Sequence, residues 1–330
     1  MIVTAGLENL PSSPPPPSVV AIGTFDGVHR GHRTIIETAV RESKLHHRQS
    51  VVLTFDRHPF ELLFPDRMPG YLTTPEQRNH LVAKTGAERL VIARFNRPFA
   101  DLHPEQFLKE VVAGKLGAIE VVVGSNFRFG HRQSGDVKFL ADRQQELGYR
   151  ARVINSVCER GDVISSTRIR NLIRQGDVAG AEWLLGHPFI LNAVVVNGEG
   201  LGRRLGYPTA NMRPTNDQVI PADGVYAAWV KIDNRRYMAA GSIGVRATMG
   251  GKERVIEIHL LDFEGDLYQR QCQVRFIRRI RGQVKFDTVD QLIKEIGNDI
   301  TETRRILSGW EVEKMAEEWL EEEVEADPYR

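Results

Sequence analysis

Ala21-Ile-Gly-Thr-Phe-Asp-Gly-Val-His-Arg-Gly-His-Arg33, directly after the apolar pair Val19-Val20, concentrates three glycines, two histidines and an aspartate. Val19–Ile22 reads as a short buried strand. Gly23 ends it and lets the chain turn and a ligand approach. His29 and His32 are three residues apart and share one face at the start of a helix, with Gly31 leaving access between them. A helix N-terminus there offers unpaired N–H groups and a partial positive charge, which suits a triphosphate. Two other readings stay open at this point. One is a glycine-rich turn carrying two surface histidines. The other is zinc, for which no third ligand lies at a recognisable spacing. The place of the stretch, between a first strand and a first helix, favours phosphate.

Outward from this stretch the chain alternates strands and helices. Thr34–Ser43 is predicted helical and Ser50–Phe55 a second strand. Thr74-Pro75-Glu76 opens a helix, with Thr74 as cap and Pro75 at the first helical position. Glu88–Ala93, Ala118–Gly124 and Tyr149–Ile154 complete five strands. Pro104 begins one intervening helix and Val137–Leu147 forms another. Strands apolar along their length, separated by helices, predict a parallel sheet covered on both faces, with ligands beyond the strands' carboxyl ends. Pro14–Pro17 reads as a stiff connector before the first core strand, or as a ligand for a proline-reading module.

The texture changes near Gly186-His-Pro188. Phe189–Val196, Gly224–Ile232, Tyr237–Ile243, Val255–Asp262 and Gln271–Ile277 are strand-like and lack intervening helices, which predicts an antiparallel barrel or sandwich. Thr288–Glu325 reads as a long amphipathic helix whose acidic end, Glu317–Glu325, is solvated. Within this half, Leu205-Gly-Tyr-Pro-Thr-Ala-Asn211 places Thr209 and Asn211 two apart in an extended segment. Both oxygens then face one side and can reach one Mg²⁺. A proline turn followed by an ordinary strand is the plainer alternative. Upstream, Gly198, Gly200, Gly202 and Gly206 have the glycine density of a dinucleotide loop. No helix is expected to follow, so a mobile loop over ATP phosphates fits better.

The chain has 330 residues, enough for two domains, with 41% hydrophobic and 26% charged residues, as in soluble globular proteins. A formal net charge of +1 gives no global attraction to nucleic acid or acidic membranes, so neither is expected as a partner. Cys158 and Cys272 match no metal or redox spacing. The first residues lack a basic region followed by a long apolar stretch, so export is not expected. The expected compartment is the cytoplasm. No apolar run reaches the ~20 residues of a bilayer span.

The opening stretch contains the His-x-Gly-His signature of nucleotidyltransferases, and Gly-Thr-Phe-Asp-Gly-Val-His-Arg-Gly-His resembles the prokaryotic bifunctional riboflavin kinase/FMN adenylyltransferase (FAD synthetase) family. Thr54-Phe-Asp-Arg-His-Pro59 resembles the family's TFDPHP, with Arg57 in place of proline. Gly124-Ser-Asn-Phe-Arg-Phe-Gly130 resembles its flavin-side loop. Ile164-Ser-Ser-Thr-Arg-Ile-Arg170 matches ISSTxIR, a phosphate-binding motif whose plainer reading is a capped helix start. The Gly198–Asn211 segment resembles the kinase pattern GxxxGxxLG[FY]PTAN, and Glu257-Ile-His-Leu-Leu-Asp-Phe263 its ExHLxDF strand. The resemblance runs from Val19 to about Leu307. Departures are Ala193 for glycine, Ser242, Ala247 and Met249 within the usual NIGxRPTF, Gln269 for glycine and Gln283 for glutamate.

The resemblance implies an α/β nucleotidyltransferase domain with a Rossmann-like parallel sheet, residues 1–186. It implies a second domain, 187–330, with the antiparallel β-barrel of riboflavin kinases and a C-terminal helix. ATP with Mg²⁺ would convert riboflavin to FMN in the second domain and FMN to FAD in the first. His29, His32 and Arg170 would stabilise charge in adenylyl transfer, with Asn126 on the flavin side. Gly23, Phe25, Asp26, Gly31, Asp56, His58, Phe127, Arg128, Ser165, Ser166 and Thr167 would line the nucleotide and flavin sites. In the kinase, Gly198, Gly202 and Gly206 would cover ATP, Thr209 and Asn211 would hold the metal, and Glu257 would be the general base. Flavoprotein recipients of FAD are conceivable partners. Three alternatives stay open: a kinase module drifted into a flavin-binding domain, a non-catalytic flavin carrier, and nucleotidyl transfer to another phosphate substrate.

Overall fold

A computed structural model describes residues 1–10, 14–159, 161–198, 200–248 and 251–309. Its contacts divide these into two compact units. One holds Met1–Pro69 and Pro75–Ser166; the other holds Gly70–Thr74 and the described residues from Thr167 onward.

The first unit is built on a six-stranded sheet. Its strands are β1 (Ile2–Ala5), β2 (Ser18–Ile22), β3 (Gln49–Phe55), β4 (Arg89–Ala93), β5 (Ala118–Gly124) and β6 (Arg150–Ile154), in the order β1-β4-β3-β2-β5-β6. Every pairing is parallel. All five residues of β2 are buried, as a central strand covered on both faces requires. Val20, Ile22, Leu53, Val91 and Val121 pack with Leu108 in one core.

The architecture is the one expected, with three corrections. Residues before Val19 contribute a strand: β1 pairs with β4 and closes one edge of the sheet. The first helix, α1 (Arg30–Leu45), begins four residues before Thr34 because His29 caps it. The expected helix Val137–Leu147 is two short helices, Val137–Asp142 and Gln144–Leu147, broken at Arg143.

Strand order decides where a ligand can sit. From β2 the chain builds outward through β3 and β4, then returns to place β5 on the other side of β2. The loops leaving β2 and β5 therefore diverge at a topological switch point, where such sheets open a crevice.

The second unit is a closed antiparallel barrel of β7 (Ile190–Val196), β8 (Ala210–Pro214), β9 (Gly224–Ile232), β10 (Arg235–Thr248), β11 (Gly251–Leu260) and β12 (Gln271–Arg281). The circuit runs β7-β8-β11-β10-β9-β12 and closes from β12 to β7. Alternation fills the interior: Ile243, Ile256, Ile258, Val274 and Phe276 are buried while Glu257 faces outward. The same unit includes α2 (Ser166–Gln175) from Thr167 on, and α3 (Val178–Leu185). Arg275, fully buried on β12, bonds Glu182 of α3 at 2.7 Å and ties that helix to the barrel.

The last described helix, α4 (Val289–Ser308), is capped by Thr288, whose hydroxyl accepts from the Gln291 N–H at 3.2 Å. Arg281 donates two bonds to the Asp299 carboxylate at 2.9 and 2.7 Å, and Arg304 pairs with Asp262, so the helix lies against the barrel wall. The acidic end of the expected longer helix, Glu317–Glu325, and Met249 lie outside the described residues. Among the described residues no helix is long and apolar enough to cross a membrane.

The two cysteines are expected to differ sharply in reactivity. Cys158 is exposed, whereas Cys272 is buried in the barrel, and burial pushes its thiol up to about 12. Only a thiolate attacks a disulfide reagent. One thiol per chain should therefore react with an aromatic disulfide at pH 8, and the second only after denaturation. The raised value also means that the unfolded thiol ionises first, so the barrel should lose stability as pH climbs through the ordinary thiol range.

Candidate active sites

In the first unit the His-x-Gly-His stretch forms one cluster. His29 caps α1, its Nδ1 accepting the His32 backbone N–H at 3.2 Å. That bond leaves the proton of a neutral His29 ring on Nε2. The two imidazoles stack at 3.6 Å with an interplanar angle of 17°, and the Phe25 ring meets His32 edge-on at 5.4 Å. A Cβ added at Gly31 would lie 3.2 Å from the His29 ring, so glycine lets the ring sit against the helix start. The zinc alternative gains nothing. Among the described residues no third His, Cys, Asp or Glu joins the pair; the one such group, Glu42, His46 and Glu120, is engaged by Arg152.

The loop before the cluster is held in a costly shape. Phe25 and Val28 both have positive φ, 49° and 34°, and both are fully buried. Such conformations cost about 1–3 kcal/mol each and persist only when the surroundings impose them. Thr54 of β3 bonds the Thr24 carbonyl at 3.0 Å, and Ser166 bonds that of Asp26 at 3.0 Å. The ISSTRIR segment thus touches this loop through its second serine. Ser165 is half-buried and Thr167 exposed. Arg170 is buried, with Nε on the Gly70 carbonyl at 2.7 Å, and it groups with the second unit together with Gly70.

Asp56 and His58 shape neighbouring loops. The Asp56 carboxylate accepts from the Phe95 N–H at 2.8 Å, and His58 caps the short helix Pro59–Leu63 through the Phe60 N–H at 3.1 Å. Across the switch point, Asn126 is exposed in the loop after β5, and a Cβ at Gly124 would sit 3.2 Å from its Oδ1 and 3.3 Å from Ile35 of α1. Phe127 stacks on Phe129 at 5.3 Å, and Phe129 leans on Phe107 at 5.5 Å. Arg128 pairs with Asp136 at 2.9 Å. The Phe139 backbone N–H, with Arg128 adding to it, holds that carboxyl below its usual range.

In the barrel, register brings the kinase candidates together. Asn211 on β8 pairs directly with Glu257 on β11. The glycine segment lies against Asn211 and Thr209. A Cβ at Gly198 would overlap the Asn211 amide, and one at Gly202 would overlap the Tyr207 carbonyl and sit 2.9 Å from Thr209 Oγ1. Only glycine allows so close a cover. One detail corrects the sequence reading: Leu201–Arg204 does form a helix, of a single turn. Gly206, in contrast, has open space around it. Sequence reasoning missed Tyr207 and His259, whose rings meet edge-on at 5.8 Å while the His259 Nδ1 lies 2.8 Å from the Pro208 carbonyl oxygen. His259 follows Glu257 by two, so alternation was the available signal.

Both halves have known counterparts. A FAD synthetase family model matches residues 12–168, and a riboflavin kinase model matches residues 185–307. The bifunctional riboflavin kinase/FMN adenylyltransferase of Escherichia coli (strain K12) is 36% identical over 300 residues, covering 91% of this chain and 96% of that one. The chain belongs to that family. The Bacillus subtilis (strain 168) member is 33% identical over 297 residues, covering 88% of this chain and 93% of its own. A crystal structure described as a macrolide-efflux protein from Streptococcus pneumoniae superposes with a TM-score of 0.82 at 31% identity, over 92% of this chain and 99% of that one. The bifunctional family makes FAD from riboflavin by way of FMN, using ATP twice.

For a bifunctional flavin kinase and adenylyltransferase, the covering loop yields a direct prediction. Gly202→Ala should displace the loop from Thr209. Displacements near 1 Å can cost about 100-fold in rate. FMN formation should fall by about that factor, while FAD formation from supplied FMN stays within twofold, both read by chromatography.

Proposed function

We propose that residues 187–330 phosphorylate riboflavin and residues 1–186 adenylylate the resulting FMN. The observation that carries this reading is a chemical cluster in each unit: stacked histidines at a helix start in the first, and in the second Thr209 and Asn211 against the glycine segment, with Glu257 paired to Asn211.

In the kinase half, Glu257 takes the proton of the ribityl 5′-hydroxyl as its oxygen bonds to the γ-phosphorus of ATP and ADP leaves. Thr209 and Asn211 present oxygen donors that suit a hard divalent cation, and Gly198 and Gly202 lie close against them. Mg²⁺ held there would neutralise phosphate charge. Positioning supplies most of the acceleration, as in phosphoryl transfer generally.

In the adenylyltransferase half, an FMN phosphate oxygen bonds to the α-phosphorus and pyrophosphate leaves. The nucleophile is already anionic, so no strong base is required. His29 and His32, at the positive end of α1, stabilise charge on the departing phosphates, with Ser165 and Ser166 as further anion contacts. Asn126 and the Phe127–Phe129 pair form the flavin side. The chain works in the cytoplasm and passes FAD to flavoprotein recipients.

The test is stoichiometric. Riboflavin, ATP and Mg²⁺ supplied to the full chain should give one ADP for each flavin phosphorylated and one pyrophosphate for each FAD. FAD without pyrophosphate, or FMN without ADP, would refute the assignment.

A further inference from the structure

Glu257 has a second neighbour in its row. On β10, Ser242 pairs directly with it, opposite the side taken by Asn211. Directly opposed residues of antiparallel strands leave the same face with Cβ atoms about 4.5–5.5 Å apart. Ile256 and Ile258 point into the barrel, so Asn211, Glu257 and Ser242 stand together on its outer face, Glu257 and Ser242 both half-buried.

Ser242 is held by a residue beyond the barrel strands. The Gln283 side-chain amide donates to Ser242 Oγ at 3.1 Å and to the Ile243 carbonyl at 2.8 Å. The carbonyl can only accept, so the nitrogen of that amide must face it, and both amide protons are then spent. Ser242 Oγ is thereby an acceptor toward Gln283. Its single proton remains for another group, and the acidic group beside it in the row is the Glu257 carboxylate.

We infer that Ser242, oriented by Gln283, is a positioning residue for Glu257, donating its hydroxyl proton to the Glu257 carboxylate and fixing its side chain on the outer face. This rests on the reading of Glu257 as general base. The row then has a division of labour: Asn211 faces the metal side, and Ser242 fixes the base from the opposite flank.

The test uses the full chain with riboflavin and ATP. Ser242→Ala should lower kcat for FMN formation by about tenfold, the effect of one charge-assisted hydrogen bond, with riboflavin KM within about twofold. Ser242→Thr, which keeps the hydroxyl, should restore kcat. Gln283→Leu should give a smaller loss in the same direction, and the double variant should lose no more than Ser242→Ala alone. An unchanged kcat in Ser242→Ala, or a loss that threonine does not rescue, overturns the inference while leaving Glu257 as base. Retention of full activity by Glu257→Gln overturns the base reading itself, and the inference with it.

Discussion

Replacing His32 with alanine is expected to cut FAD formation at least about 100-fold while FMN formation from riboflavin stays near the wild-type rate. Removing one preorganised donor to developing charge costs about 10²–10³ in rate. The His32 ring stacks on His29 at the first turn of α1. The backbone N–H that His29 accepts is retained in alanine, so the cap and the helix start survive. His29→Ala would be a poorer test, because it removes the cap along with the ring. Circular dichroism and the surviving kinase activity report folding. Loss of both activities would mean that the sites are not separate.

Glu257→Gln is the reciprocal experiment. The amide keeps the shape and the outward strand position but accepts a proton far less readily. General base catalysis contributes about 10²–10⁴-fold, so kcat for FMN formation should drop by that range with riboflavin KM little changed. FAD formation from supplied FMN should be unaffected. A variant that retains wild-type kcat would remove Glu257 from the base role and leave positioning by Thr209 and Asn211 as the source of rate.

The parallel sheet was legible because its strands are apolar throughout and helices separate them. Its first strand was not. Ile2–Ala5 is short and lies at an edge, and Ile2 is 55% exposed, so nothing in its composition marks it as core. The start of α1 was read late because His29 is not among the usual capping residues Ser, Thr, Asp and Asn. The glycine segment was read as a cover over phosphate, and its closeness to Asn211 and Thr209 bears on that use. Its single helical turn is too short for any periodicity to show.

In the barrel, the outward face of Glu257 followed from alternation with Ile256 and Ile258. Its neighbours did not. Asn211 and Ser242 lie 46 and 15 residues away in sequence, and only the β8-β11-β10 register puts them on one row. Pairing of this kind depends on barrel closure, which no local pattern encodes. The Ser242–Gln283 bond joins positions that the sequence alone could describe only as separate departures from the family pattern.

Mixing the two single-site variants tests the central claim most directly, namely that one chain carries two independent ATP-using sites. His32→Ala and Glu257→Gln, each given riboflavin, ATP and Mg²⁺ alone, should make FMN only and almost nothing, respectively. Combined in one tube, they should produce FAD, because FMN released by the first variant is adenylylated by the second. Absence of FAD in the mixture, when Glu257→Gln alone converts supplied FMN, would contradict the account.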